Sequence, residues 1–215
     1  FAIYEMGAGK PGDIAYLTDI VRPDVALVNN IAAAHLERMG SLLGVAQTKG
    51  AIYAALGAGG TAVVNADDAF GEWFQQEVIR ARDSGRRMLR FGLDASAEVG
   101  ARDIRPDARG SRFVLLTPQG EVEVQLALPG RHNVRNALAA AAIGLACGVA
   151  LEDIAAGLAD ARPVTGRQVA HALAAGIELV DDSYNANPGS LEAAIQALAA
   201  TGDEAWLVLG DMREL

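Results

Sequence analysis

One rhythm constrains this chain more than any single motif. Short apolar runs, several of them stopping on a polar residue, alternate with longer amphipathic stretches. Phe1 to Met6, Val25 to Asn29, Thr61 to Asn65 and Met88 to Phe91 read as strands; Asp13 to Val21, Leu42 to Leu56 and Phe70 to Arg82 read as helices. Strand and helix in repeated alternation make an α/β fold, a mostly parallel sheet flanked by helices. In such sheets ligands bind outside the carboxyl ends of the strands. Glu5, Asn29 with Asn30, Asn65 with Asp67 and Asp68, Asp181 with Asp182, and Asp211 stand at those ends. The competing reading is that polar residues simply open loops.

The rhythm then changes. Val99 to Ile104, Arg112 to Thr117 and Val122 to Leu128 are short and strand-like, with a Pro118-Gln-Gly turn between the last two, which predicts a small antiparallel part. Helices are expected over Val134 to Cys147 and Leu151 to Ala159. Arg162 to Arg167 reads as a junction that divides a first domain, 1–162, from a second, 163–215. After it the rhythm restarts with a strand at Ile177 to Asp181, a helix at Pro188 to Ala200 and a strand at Trp206 to Leu209. That is the opening of a second nucleotide-fold-like domain. Phe1 opens inside an apparent strand without an initiator Met or a basic signal flank, and Leu215 follows directly on a strand and turn. A chain truncated at both ends is therefore expected.

Composition narrows the function classes. The net charge of −9 argues against general nucleic-acid binding, which needs a basic surface. No apolar run reaches the roughly 18 residues of a membrane span. The single cysteine, Cys147, can form no internal disulfide, which fits a reducing cytosol.

Four segments carry candidate chemistry. Lys49 falls on the apolar stripe of its helix with Leu42, Val45, Ala46, Ile52, Tyr53 and Leu56. The chain has sixteen arginines and two lysines, so a lysine on that stripe stands out. Burial favours its neutral amine, which can add carbon dioxide to form an anionic, metal-binding carbamate. The competing reading is a lysine snorkelling at the edge of the stripe. His35 follows a strand tip in a loop of small residues, with Glu5 as its natural carboxylate partner. Oxygen ligands with one imidazole suit Mg²⁺ or Mn²⁺, and the competing reading is a structural histidine. In Gly130-Arg-His-Asn-Val-Arg-Asn136, Asn133 is placed as a helix N-cap. Asn133 and Asn136 share a helix face and offer amides that match an adenine edge, with plain capping as the alternative. Asp181 to Pro188 joins a strand to a helix and gathers many hydrogen-bonding groups. Gly7-Ala-Gly-Lys10 is no phosphate loop, because Pro11 stands where Ser or Thr is needed and the earlier glycine is missing.

Taken in order, Glu5-Met-Gly-Ala, Arg22-Pro-Asp-Val-Ala-Leu-Val, Ala34-His-Leu-Glu, Gly40-Ser-Leu with Lys49-Gly, Gly130-Arg-His-Asn-x-x-Asn, Gly166-Arg, Asp181-Asp-Ser-Tyr-Asn-Ala-Asn-Pro and Leu209-Gly-Asp-Met resemble the Mur ligases. These are ATP-dependent amide-forming ligases of peptidoglycan synthesis. The last two motifs are most similar to the branch that adds D-alanyl-D-alanine to UDP-N-acetylmuramoyl-tripeptide. The resemblance implies a P-loop-like central domain, here without its phosphate loop, followed by the start of a Rossmann-like domain. It implies Glu5, His35 and Lys49 as catalytic and metal-binding residues, with a carbamate on Lys49 and Mg²⁺ or Mn²⁺ bound. It implies Asn133, Asn136, Arg167 and Asp182 at ATP, with Asn136 on the adenine. Tyr184, Asn185 and Asn187 would lie near the incoming dipeptide. A cytoplasmic monomer that acts on small molecules, without nucleic acid or membrane insertion, is implied for the full-length enzyme, in a pathway serving cell shape and division. The 215 residues alone are expected to be catalytically silent. Relatives often carry Asn-His where this chain has Gly9-Lys10. A folylpolyglutamate-type or other Mur-type ligase, and a non-catalytic nucleotide-binding module, are the alternatives.

Overall fold

The computed structural model describes residues 1–33, 36–79, 85–107, 110–186, 188–199 and 204–211. Its centre is a parallel sheet of β1 (Val25–Val28), β2 (Thr61–Asn65) and β3 (Arg87–Phe91), in that spatial order. Side chains alternate across β2. Ala62 and Val64 join one core with Ala46 and Tyr53 of α3 (Leu42–Ala54). Val63 joins the other, with α5 (Arg131–Ala146) and α6 (Leu151–Ala159). All five β2 residues are buried, as expected for a central strand covered on both faces.

The neighbouring elements frame this sheet. Helix α1 (Asp13–Val21) precedes it, and the short α2 (Leu36–Met39) leads into α3. A meander of β4 (Gly100–Asp107), β5 (Gly110–Thr117) and β6 (Gly120–Leu126) is antiparallel throughout. A parallel bridge between Phe91 and Val99 ties it to the β3 side of the central sheet. Strand β4 is irregular: its register shifts between Arg102 and Arg105, Asp103 has a positive φ of 54°, and Pro106 lies within the strand.

Tyr53 is the most constrained polar side chain in the core. It is fully buried, accepts a hydrogen bond from the Val28 N–H at 2.9 Å and donates to the Val63 carbonyl at 2.7 Å. It thus links two strands from the helix above them, and its burial pushes the hydroxyl's pKa well up. Tyr53→Phe keeps the ring and strands both backbone groups, so it is expected to cost about 2 kcal/mol. A shift in urea midpoint checks this, and an unchanged midpoint would contradict the bridging role.

Four expectations are corrected. Phe1 to Met6 joins no ladder among the described residues, and Phe1, Ile3 and Tyr4 are exposed. An apolar run marks a strand only where a sheet edge receives it. Trp206 to Leu209 likewise joins no ladder and is exposed. The helix expected over Phe70 to Arg82 is a short α4 (Gly71–Trp73) that widens into a π-helical stretch, Phe74–Ile79. The wide turn packs Trp73 on Phe74 with ring centroids 5.3 Å apart and seats Phe74 against Tyr53. Residues 80–84 lie outside the described residues. Leu42, placed on the α3 stripe, is 44% exposed, because it sits in the first turn, where the helix has not yet reached the sheet.

After the junction, β7 (Val169–Ala172) pairs antiparallel with β8 (Glu178–Asp181), and α7 (Pro188–Ala199) follows. The segment after Arg167 therefore begins with a hairpin that the sequence reading did not contain. No residue from 167 onward is buried among the described residues.

Candidate functional site

The carboxyl ends of β1, β2 and β3 meet the N-terminus of α5. Three hydrogen-bonded groups build the meeting point. In the first, Asp67, just past β2, has a side chain only 6% exposed. Its carboxylate accepts from the backbone N–H groups of Leu93, Asp94 and Ala95 at 2.7, 3.0 and 2.8 Å, and from Arg135 Nε at 3.1 Å. Burial alone would raise its pKa, but these four donors together hold it below the usual carboxylate range. Arg131 pairs with Asp94 beside it. One carboxylate thereby fixes the loop after β3 and the first turns of α5.

The second group is a set of amides. Asn65 Nδ2 donates to the Asn29 carbonyl at 2.9 Å, and Asn29 Nδ2 donates to Asn136 Oδ1 at 2.9 Å. Asn136 faces Asn133 at 3.4 Å, so these two residues do share a face, as expected from their spacing. Asn133 is not the N-cap. Gly130 takes that position with φ of 94°, a turn that suits glycine, and the helix starts at Arg131. Asn133 instead donates to the Pro129 carbonyl at 2.7 Å.

The third group surrounds Lys49. Asp68 accepts from Ile31 N at 2.8 Å and from Phe70 N at 2.9 Å, pinning the loop after β1. Lys49 Nζ donates to the Asn30 carbonyl in that loop at 3.2 Å. The lysine is half-buried, as the stripe implied. Burial lowers its pKa, against the charge of Asp68, which raises it. A larger neutral fraction than an ordinary surface lysine holds is what carbamate chemistry requires.

The remaining expected residues are placed as follows. Glu5 is exposed on the extended N-terminal segment and bonds to none of the other site residues among those described. His35 and Asn187 lie outside the described residues, as does the motif from Met212 onward. The Gly9 and Lys10 N–H groups both bond to Asp13 Oδ2, at 3.0 and 2.9 Å, so this loop's donors are already engaged by a carboxylate. No cluster of three or more His, Cys, Asp or Glu side chains occurs among the described residues.

At the junction, Gly166 is buried with φ of 74°, and a Cβ there would come within 3.1 Å of Tyr184 Cβ. The Tyr184 N–H donates to the Gly166 carbonyl at 3.0 Å, and the Arg167 guanidinium stacks over the Tyr184 ring at 4.4 Å. His132, on the first turn of α5, is hydrogen-bonded to Gln168 and feels the charge of Asp182; burial is the main cause of its lowered pKa. Arg167 and Asp182 are thus near the α5 N-terminus through their neighbours, while Asn185 is exposed. The sequence reading missed His132, Gln168 and Arg135 as parts of this site. The one sequence signal for His132 was its position directly beside Asn133.

Comparison with known proteins gives the same outline. The family model for the Mur ligase middle domain matches residues 1–144, and that for the Mur ligase glutamate ligase domain matches 166–215. The chain is 46% identical to the UDP-N-acetylmuramoyl-tripeptide--D-alanyl-D-alanine ligase of Escherichia coli K12, over 100% of this chain and 47% of the relative. The ligase of the same name from Haemophilus influenzae is 41% identical over 100% of this chain and 45% of its own length. The chain thus spans about half the length of these relatives. A crystal structure of MurF from Acinetobacter baumannii superposes with a TM-score of 0.90 at 38% identity, covering 97% of this chain and 44% of that one. MurF of Thermotoga maritima in complex with ADP superposes at 0.76 and 28% identity, covering 91% and 43%. With the family's middle-domain model matching two thirds of its length and the glutamate ligase domain model matching 166–215, this chain belongs to the Mur ligase family.

Proposed function

We propose that this chain is the central ATP-binding part, 1–162, and the start of the C-terminal domain, 163–215, of a ligase that joins D-alanyl-D-alanine to UDP-N-acetylmuramoyl-tripeptide. The observation that carries this reading is 46% identity, over the whole chain, to a relative bearing that activity as its name. In the reaction the γ-phosphoryl group of ATP passes to the terminal carboxylate of the muramoyl peptide. The dipeptide amine then attacks the acyl phosphate, and inorganic phosphate leaves.

Each residue has a place in that sequence. Asn133 and Asn136 face the adenine side of the nucleotide. Arg167 meets the phosphates from across the junction and offsets charge on the transferring group. Asp182 contacts the nucleotide from the second domain, and Tyr184, Asn185 and Asn187 line the path of the dipeptide. Lys49, as its carbamate, would hold Mg²⁺ or Mn²⁺ together with Glu5 and His35, and the cation would supply charge neutralisation at the phosphates. Closure of the second domain onto the first excludes water that would hydrolyse the acyl phosphate. The enzyme works as a monomer in the cytoplasm, and the lone Cys147 fits that reducing compartment.

The test is phosphate release from ATP by the full-length ligase in the presence of UDP-N-acetylmuramoyl-tripeptide. D-alanyl-D-alanine is expected to support turnover and glutamate is not. Turnover with glutamate alone would transfer the chain to the folylpolyglutamate-type reading. No turnover with either acceptor would favour a nucleotide-binding module.

A further inference from the structure

The amides at the α5 N-terminus form a chain whose direction is set at one end by a backbone carbonyl. Asn133 Nδ2 lies 2.7 Å from the Pro129 oxygen, and a carbonyl can only accept. Asn133 therefore turns its Oδ1 away from Pro129 and toward Asn136, whose Nδ2 lies 3.4 Å from it. That turns Asn136 Oδ1 toward Asn29, whose Nδ2 donates to it at 2.9 Å. Asn29 is held in turn. Its carbonyl accepts from Asn65 Nδ2 at 2.9 Å, and Asn65, only 4% exposed, has its Oδ1 engaged by the Asp67 N–H at 2.9 Å. A primary amide carries two N–H donors and two acceptor lone pairs. The chain of contacts uses one of each on Asn136 and leaves one of each for a ligand. The polarity of the remaining edge is then fixed.

We propose that Asn29 is a positioning residue that sets the donor–acceptor polarity of Asn136, and through it the recognition of the 6-amino edge of ATP. This rests on the reading of Asn136 as the amide that faces adenine. Adenine shows an amino donor beside a ring-nitrogen acceptor, so a bidentate amide must present oxygen to the first and nitrogen to the second. An unrestrained amide can turn over and lose both bonds. Asn29 and Asn133, gripping opposite atoms of Asn136, remove the wrong orientation before the nucleotide arrives.

Steady-state kinetics of the full-length ligase test this. Asn29→Asp sets an acceptor against Asn136 Oδ1, so the amide must turn over to present Nδ2. The KM for ATP is expected to rise about 10-fold, equivalent to about 1.4 kcal/mol, while kcat and the KM for D-alanyl-D-alanine stay unchanged. Asn29→Ala removes the grip without reversing it and is expected to give a smaller rise. The triphosphate of purine riboside, which lacks the amino group, is a second probe. The native enzyme should prefer ATP over it, and Asn29→Asp should lose most of that preference, which a merely structural role would not change. In an Asn136→Ala background, Asn29→Asp should have no further effect. Additive effects, or a change confined to kcat or to the dipeptide KM, would overturn the proposal. If Asn136→Ala itself leaves the KM for ATP untouched, the adenine reading fails and takes this proposal with it. If Asn136→Ala raises that KM and Asn29→Asp does not, only the role of Asn29 fails.

Discussion

Lys49→Ala in the full-length ligase is expected to lower kcat by about 10²- to 10³-fold, the usual loss when one preorganised charge-stabilising group is removed. Stability should hardly change, since Lys49 is half-buried and its one hydrogen bond among the described residues goes to the Asn30 carbonyl. The more telling variant is Lys49→Arg. Arginine keeps the charge and the reach, but it stays protonated at any working pH and cannot form a carbamate. If Lys49 acts as a cation, Arg should restore much of the activity. If it acts as a carbamate, Arg should be as inactive as Ala. Activity of the native enzyme should also fall as pH drops and the amine protonates, and rise with added bicarbonate at fixed pH. A Lys49→Arg enzyme with near-native kcat would end the carbamate reading.

The largest expected effect on stability is at Asp67. Asp67→Ala leaves the N–H groups of Leu93, Asp94 and Ala95 and the Arg135 guanidinium without their shared acceptor. Removing one partner of a largely buried charged pair typically costs about 3 kcal/mol or more. Urea unfolding at neutral pH measures the loss directly. The pH dependence has a defined sign. The folded Asp67 has a pKa below the ordinary value, so its contribution is complete above an unfolded aspartate pKa of about 3.9. It is lost as pH falls through the lowered folded value. Native protein should therefore lose stability on acidification more steeply than Asp67→Ala, and the two curves should converge in acid. Parallel curves throughout would mean that the carboxylate contributes nothing as a charged acceptor.

The sequence made some of this legible and hid the rest for identifiable reasons. The strands β1 and β2 were readable because each is a short apolar run closed by a polar residue, β3 by its place in the strand–helix alternation, and β2 is buried along its whole length. Lys49 was readable because helical periodicity placed it beside buried Val45, Ala46 and Tyr53. Phe1 to Met6 looked like those strands, but whether such a run joins a ladder depends on an available edge, which no local pattern encodes. The start of α5 was misplaced by three residues because Gly130 opens the helix through its backbone, whereas Asn133 looked like a cap by its side chain. The hairpin of β7 and β8 was invisible because its pairing joins residues across a turn at Ala174–Gly176 with no long apolar alternation. The polar contacts of the site were least legible of all. Asn29 meets Asn136 and Asp67 meets Arg135 across more than sixty positions of sequence, and spacing carries no information at that range.

The irregularity of β4 bears on how the protein behaves when crowded. An edge strand with free backbone groups can template a strand from another molecule. Along β4, the register shift, the αL backbone of Asp103 and the imide nitrogen of Pro106 break any continuous row of donors. Arg102 adds a charged side chain, tied to Glu121 at 2.6 Å, beside that break. A flank of this kind cannot zip onto its own copy. The β4 flank therefore disfavours edge-to-edge pairing at high concentration, and straightening that strand is expected to make the protein more prone to precipitate.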